Sequence, residues 1–252
     1  MDDTVIRSRH IQYNHRPKHS DLGLSASFAM AYEPPVEIRD KYGSLYIYFQ
    51  AAPNSQKIEY SEIIQSCGRA FYQKSENPTN FRLKMAIRAL NEVTSKYQGD
   101  YNLGLVAVKN DSILFSSTKE IKIILSRGKK ARVISSGASK KLTEITQGKI
   151  LAGDRILMTG SVLSESLGEK PLNNLASLKD PNDIKPMLKK ILKLPESVPY
   201  SLIAILTEPK LDTKSGGIQG IEKKLPSDSS NNKSFANKIA SRIQNTGKAS
   251  IS

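Results

Sequence analysis

Few side chains in this chain have a spacing that could do chemistry. The three histidines, His10, His15 and His19, are set among Arg7, Arg9, Arg16 and Lys18. Imidazoles could ligate a metal or move protons, but the neighbouring cations disfavour another positive ion. No cysteine or close carboxylate pair completes a zinc set either. The histidines read as part of a solvated basic arm. The single Cys67 lies in the apolar helical pattern Ile63, Ile64, Cys67, Ala70, Phe71. It reads as a small core residue, because a nucleophilic thiol would want a histidine beside it. Ser135-Ser-Gly-Ala-Ser139 precedes Lys140-Lys141 but lacks the GxxxxGK spacing of a phosphate cradle. Ser215-Gly-Gly217 has no strand before it. There is no G-x-S-x-G elbow and no Ser/His/Asp set. The remaining candidates are the carboxylates Asp21, Asp40, Asp100, Asp111, Glu120 and Asp154. They could hold hard cations only if the fold gathers several at one sheet end. Asp154, in Leu151-Ala-Gly-Asp-Arg155, reads as part of a tight turn.

Composition narrows the classes. With 252 residues, 38% hydrophobic and 25% charged, the chain can build one sizeable domain or two small ones. One cysteine permits no disulfide within the chain, which fits a reducing compartment. The first twenty residues lack the apolar core of a signal peptide. No stretch approaches the roughly 20 apolar residues that span a bilayer. The expectation is a soluble, cytoplasmic protein. A net charge of +14 favours anionic partners: nucleic acid, an acidic membrane surface or an acidic protein. The charge is dispersed over short clusters at Arg7–Lys18, Arg127–Arg132, Lys140-Lys141 and Lys189-Lys190. None is interleaved with aromatics as a single-strand binding platform would be.

The elements that must position these groups follow from periodicity. Residues 1–21 read as a basic, polar arm, and Leu22–Tyr32 as a weak first strand. Pro34-Pro35 and Asp40–Gly43 read as turns. Ser44–Gln50 is aromatic and β-branched, a strong strand. A helix is expected at Ser61–Gln73, capped by Ser61. Another is expected at Pro78–Tyr97, capped by Asn77, with the apolar stripe Leu83, Ala86, Ile87, Leu90, Val93 and Tyr97. Asn102–Val108, Ser112–Ser117, Glu120–Ser126 and Ala131–Ile134 follow as short strands, an antiparallel meander turning at Asn110-Asp111 and Arg127-Gly128-Lys129. Leu151–Leu163 reads as a turn, a buried strand at Arg155–Thr159 and a helix start. A helix at Ile184–Leu192 and a strand at Tyr200–Thr207 complete the domain. Residues 209–252 turn Ser-, Asn- and Lys-rich and read as a disordered basic tail. Within the tail, Phe235, Ile239 and Ile243 recur every fourth residue, so 234–244 could form a short helix on a partner or membrane surface.

Leu151-Ala-Gly-Asp-Arg-Ile-Leu-Met-Thr-Gly-Ser-Val-Leu163 resembles the "PGDRLLLxSDGL" segment of the metal-dependent serine/threonine phosphatase (PPM) family. The order of elements over about Leu22–Glu208 is also similar to that family's. The resemblance implies an α+β fold of two stacked antiparallel sheets with helices on both outer faces. It implies metal-assisted phosphate hydrolysis only where the family's carboxylates are present. Ser161 stands in place of the "SDG" Asp and Val162 in place of its Gly. The "VxDGxGG" segment becomes Ile47–Pro53, with Gln50 in the Asp place and Ala51 in the Gly place. "GDSR" becomes Thr118-Lys-Glu-Ile121, the closing "DN" falls at Pro199-Tyr200, and Ser25–Tyr32 offers no match to the family's N-terminal Arg and Asp. On this alignment no catalytic, cofactor-binding or metal residue can be assigned.

The leading expectation is therefore a catalytically inactive phosphatase-like domain that serves as a protein-binding or regulatory module. Two alternatives stand beside it. One is a divergent phosphatase with relocated ligands, and the other is a basic nucleic-acid-associated protein.

Overall fold

The computed structural model describes residues 6–15, 27–73, 76–135, 137, 139–192 and 198–209. The chain begins with β1 (Ile6–His15), β2 (Ser27–Tyr32), α1 (Val36–Tyr42) and β3 (Ser44–Ala51), followed by helices α2 (Tyr60–Phe71) and α3 (Thr79–Ser95). The meander comprises β4 (Tyr101–Lys109), β5 (Ser112–Ser117), β6 (Lys122–Arg127) and β7 (Lys130–Val133). Strands β8 (Thr146–Lys149) and β9 (Arg155–Thr159) lead into α4 (Ser161–Leu167), α5 (Glu169–Ala176) and α6 (Ile184–Ile191). Strand β10 (Tyr200–Pro209) closes the fold.

Two five-stranded antiparallel sheets result, ordered β1-β10-β9-β6-β7 and β2-β3-β4-β5-β8. Period-2 patterning decides how they stack. Tyr46, Tyr48, Val106, Phe115, Ile123, Met158 and Ile203 form the apolar layer between the sheets. The alternate residues Leu45, Ile47, Phe49 and Leu105 point outward and are covered by Ile63, Cys67, Leu83 and Leu90 of α2 and α3. On the other outer face, Leu157, Leu202 and Ala204 pack against Leu163, Leu172, Leu175 and Leu188 of α4, α5 and α6. The layers run helix, sheet, sheet, helix, the expected α+β sandwich.

Several expectations are corrected. Ile6–His15 is not a solvated arm: it is strand β1, paired along its whole length with β10 from Ile6↔Pro209 to His15↔Tyr200. Its outward cations kept the pattern polar, whereas its backbone is committed to the sheet. The turn expected between Pro35 and Gly43 contains α1, whose residues are all at least partly exposed. Strand β8 and helix α5 went unread, the first being only four residues with no apolar side chain. Helix α3 starts at Thr79 with Pro78 as its flanking residue, one place later than expected. The tail at 210–252, including 234–244, lies outside the described residues.

Candidate functional site

One end of the sandwich gathers the positions that the sequence pattern singled out. There β3 finishes, β2 begins opposite it (Ser27↔Gln50), β9 finishes, and β10 begins beside it (Leu202↔Thr159). Asn14 on β1 ties the sheets together at this end, since its amide both donates to and accepts from the Ala29 backbone, at 3.1 and 2.8 Å.

Between these strand ends sits a buried, neutral polar cluster. The Tyr48 hydroxyl shares a 3.1 Å hydrogen bond with Ser27 Oγ. Thr159 Oγ1 donates to the Ser201 carbonyl at 3.0 Å. Gln50 is 4% exposed, and its Oε1, like Ser201 Oγ, has no hydrogen-bond partner among the described residues. Gln50 Oε1 and the Tyr48 hydroxyl occupy the place where a Cβ on Gly160 would stand, so a larger residue there would push the end of the Gln50 side chain aside. Burial pushes the Tyr48 phenol up to about 12, against the opposing pull of Ser27, the Gly160 backbone and Thr159. The phenol is therefore uncharged at neutral pH. Thr118 is also buried, at the adjoining strand end, and its hydroxyl accepts the Leu103 N–H at 3.0 Å.

This geometry can be tested against the two divalent cations of the phosphatase fold. Hard cations require oxygen donors, mostly anionic. The described residues here offer one neutral amide carbonyl and several hydroxyls. The space beside Gly160 is filled by the side-chain ends of Gln50 and Tyr48 themselves. Placing two divalent charges there without counter-charge would cost far more than these dipoles return. Among the described residues, the donor set does not fit the metal pair.

The remaining carboxylates do not converge. Asp100 pairs with Lys140 at 3.0 Å and Asp111 with Lys149 at 3.3 Å, while Asp40 lies 4.0 Å from Arg7. Asp154 is buried as expected in its turn. It accepts the Leu151 N–H at 2.9 Å and holds Arg127 through Nε at 2.9 Å and Nη2 at 2.7 Å. Asp21 lies outside the described residues. Among those described, no three His, Cys, Asp or Glu side chains form a group able to hold a metal.

The histidines are separated by the sheet they help build. His10 is half-buried, edge-on to Tyr46 with ring centroids 5.7 Å apart, and its Nδ1 is 3.6 Å from Glu33. His15 stacks on Tyr200 at 4.9 Å. His19 lies outside the described residues. Cys67 is fully buried, and burial pushes its thiol up to about 12, consistent with a core role. Gly137 approaches the Ser117 and Thr118 backbone so closely that no Cβ fits there.

Sequence reasoning missed Ser27, Tyr48, Thr159 and Ser201. Each looks like an ordinary strand residue, and only the pairing of distant strands brings them together. The one available signal was polar residues recurring at the ends of apolar strands.

No family model matches the chain, and no curated protein does. Solved structures do resemble it. PppA, a key regulatory component of T6SS in Pseudomonas aeruginosa, superposes with a TM-score of 0.59 at 14% identity, over 81% of this chain and 99% of that one. The catalytic domain of the serine/threonine phosphatase PstP, solved with two manganese ions, gives 0.57 at 10% identity over 81% and 99%. The PPM phosphatase MsPP of Mycobacterium smegmatis gives 0.54 at 11% over 80% and 98%. At such identities the likeness concerns architecture, and on architecture it is consistent: this chain has the fold of the PPM phosphatase domains.

Proposed function

We propose that the chain is a pseudophosphatase: a PPM-like domain that has exchanged metal chemistry for a role as a protein-binding or regulatory module. One observation carries the reading. The sandwich end formed by Ser27, Tyr48, Gln50, Thr159 and Ser201 is neutral and buried, joined by the Ser27–Tyr48 and Thr159–Ser201 hydrogen bonds, with Gln50 Oε1 left without a partner among the described residues. Metal-assisted hydrolysis needs an anionic cage and an open position for water and phosphate. Neither the described donors nor the space between Gln50 and Gly160 suits that use. The relocated-ligand alternative loses support from the dispersal of Asp40, Asp100, Asp111 and Asp154 into separate ion pairs. The regulatory part of the reading draws on a structural neighbour, PppA, a key regulatory component of T6SS in Pseudomonas aeruginosa.

The test is turnover. The full chain, incubated with millimolar Mn²⁺ or Mg²⁺ and a generic aryl phosphate or a phosphothreonine peptide, should release phosphate no faster than buffer. Metal-dependent release that survives repurification and disappears with chelator would overturn the reading.

A further inference from the structure

Strand β7 is one of the two edges of its sheet, and among the described residues it pairs with β6 alone. The register reveals which of its backbone groups are spent. Ile134 N donates to Ile123 O at 2.8 Å, and antiparallel pairing alternates, so Lys130 and Arg132 turn their N–H and C=O toward β6. Ala131 and Val133 therefore turn theirs outward, and no described residue meets them. A row of outward backbone groups can template another strand, and the exposed Lys130 and Arg132 on this edge disfavour a partner strand of like charge.

The surroundings define what that chain should be. Lys129, Lys130 and Arg132 are exposed, and none is paired with a carboxylate of the described residues. With Asn173 and Asn174 of α5 they line a groove of about 700 Å³. Asn173 Oδ1 is a buried acceptor without a donor among the described residues. Val133 remains 43% exposed, an apolar contact beside the cations. A second copy is a poor occupant, because edge-to-edge pairing of two β7 strands would set Lys130 and Arg132 against like charges.

We infer that β7 and the α5 groove form a docking site for an extended acidic peptide, which adds to the sheet as a sixth strand. Ala131 and Val133 would exchange backbone hydrogen bonds with the peptide. Its carboxylates would meet Lys130 and Arg132, and one of its donors would satisfy Asn173. The site rests on the binding-module reading for its purpose but on different residues for its existence, so the two can fail separately.

The test titrates the full chain with a fluorescein-labelled hexapeptide of alternating Val and Glu and reads anisotropy. Saturable binding is expected that weakens with salt. Reversing Lys130 and Arg132 to Glu should weaken it by about tenfold or more. Ala131→Pro keeps every charge but removes an outward donor, at an edge position that tolerates proline, and should weaken binding comparably. A peptide N-methylated at alternate residues should also fail to bind. Thermal melting of each variant confirms that the fold persists. Equal affinity for the N-methylated peptide, or for the Ala131→Pro chain, would overturn strand addition. Binding of an RNA oligonucleotide through the same two cations without any peptide binding would replace it with a nucleic-acid face. Turnover with manganese would overturn the pseudophosphatase reading while leaving this site untouched.

Discussion

Removing the Arg127 guanidinium would strand the Asp154 carboxylate, whose side chain is only 2% exposed, with the Leu151 N–H as its remaining donor. Because Arg127 is itself half exposed, the loss falls at the low end for broken buried pairs. Arg127→Met should lower stability by about 2–3 kcal/mol in urea titration; a change below half a kilocalorie would mean the pair is solvent-screened. His10 gives a pH signature. Burial lowers its pKa, with Glu33 opposing and Arg39 assisting. The folded state therefore binds its proton less readily than the unfolded chain does. Its contribution is fully present above the unfolded value, near 6.5, and is lost as pH falls through the lower folded value. Melting temperatures taken from pH 7.5 to 5 should fall less steeply for His10→Gln than for the parent; parallel curves would show that His10 does not contribute. At this scale the sequence was half legible. The Gly153-Asp-Arg turn was visible because its geometry is local, whereas Arg127, the partner of Asp154, was invisible because it arrives from another strand.

Helix α3 carries a buried arginine that links elements. Arg82 donates to the carbonyls of Phe71 at 2.8 Å and Gln73 at 2.9 Å, where α2 ends, and lies 3.6 Å over the Tyr42 ring. It satisfies the terminal carbonyls of α2 and complements that helix's dipole. Lysine offers a point charge without the planar fork, so Arg82→Lys should still cost about 2–4 kcal/mol by chemical denaturation; an unchanged midpoint would show that water replaces it. Gly43 ends α1 at φ 91°, and a Cβ there would lie 2.5 Å from Val108 O. Gly43→Ala should cost about 1–3 kcal/mol in the same assay. The elements that went unread share physical causes. Strand β1 alternates cations and polar residues because only Ile6 of its ten is buried. Helix α1 is short and buries nothing, and β8 is four residues without an apolar side chain, held by pairing to β5. By contrast, β3 is buried at all eight positions and α3 carries a full apolar stripe, so both were legible from periodicity.

At the scale of the whole molecule, layer order was accessible because apolar patterning specifies which faces must be covered. Strand partnership was not, because β1 and β10 lie at opposite ends of the described chain and nothing local announces their pairing. The same long-range pairing assembles Ser27, Tyr48, Gln50, Thr159 and Ser201 at one sandwich end, where the proposed loss of metal chemistry is decided. Among the described residues no helix is long and apolar enough to cross a membrane. The net charge of +14 adds a general attraction for anions that should weaken with salt. The most direct test of the main claim is calorimetric titration of the full chain with Mn²⁺ at neutral pH and moderate salt. The account predicts no saturable heat up to millimolar metal. Binding of two ions per chain at micromolar concentrations would contradict it, above all if Gln50→Ala and Ser27→Ala abolished that binding.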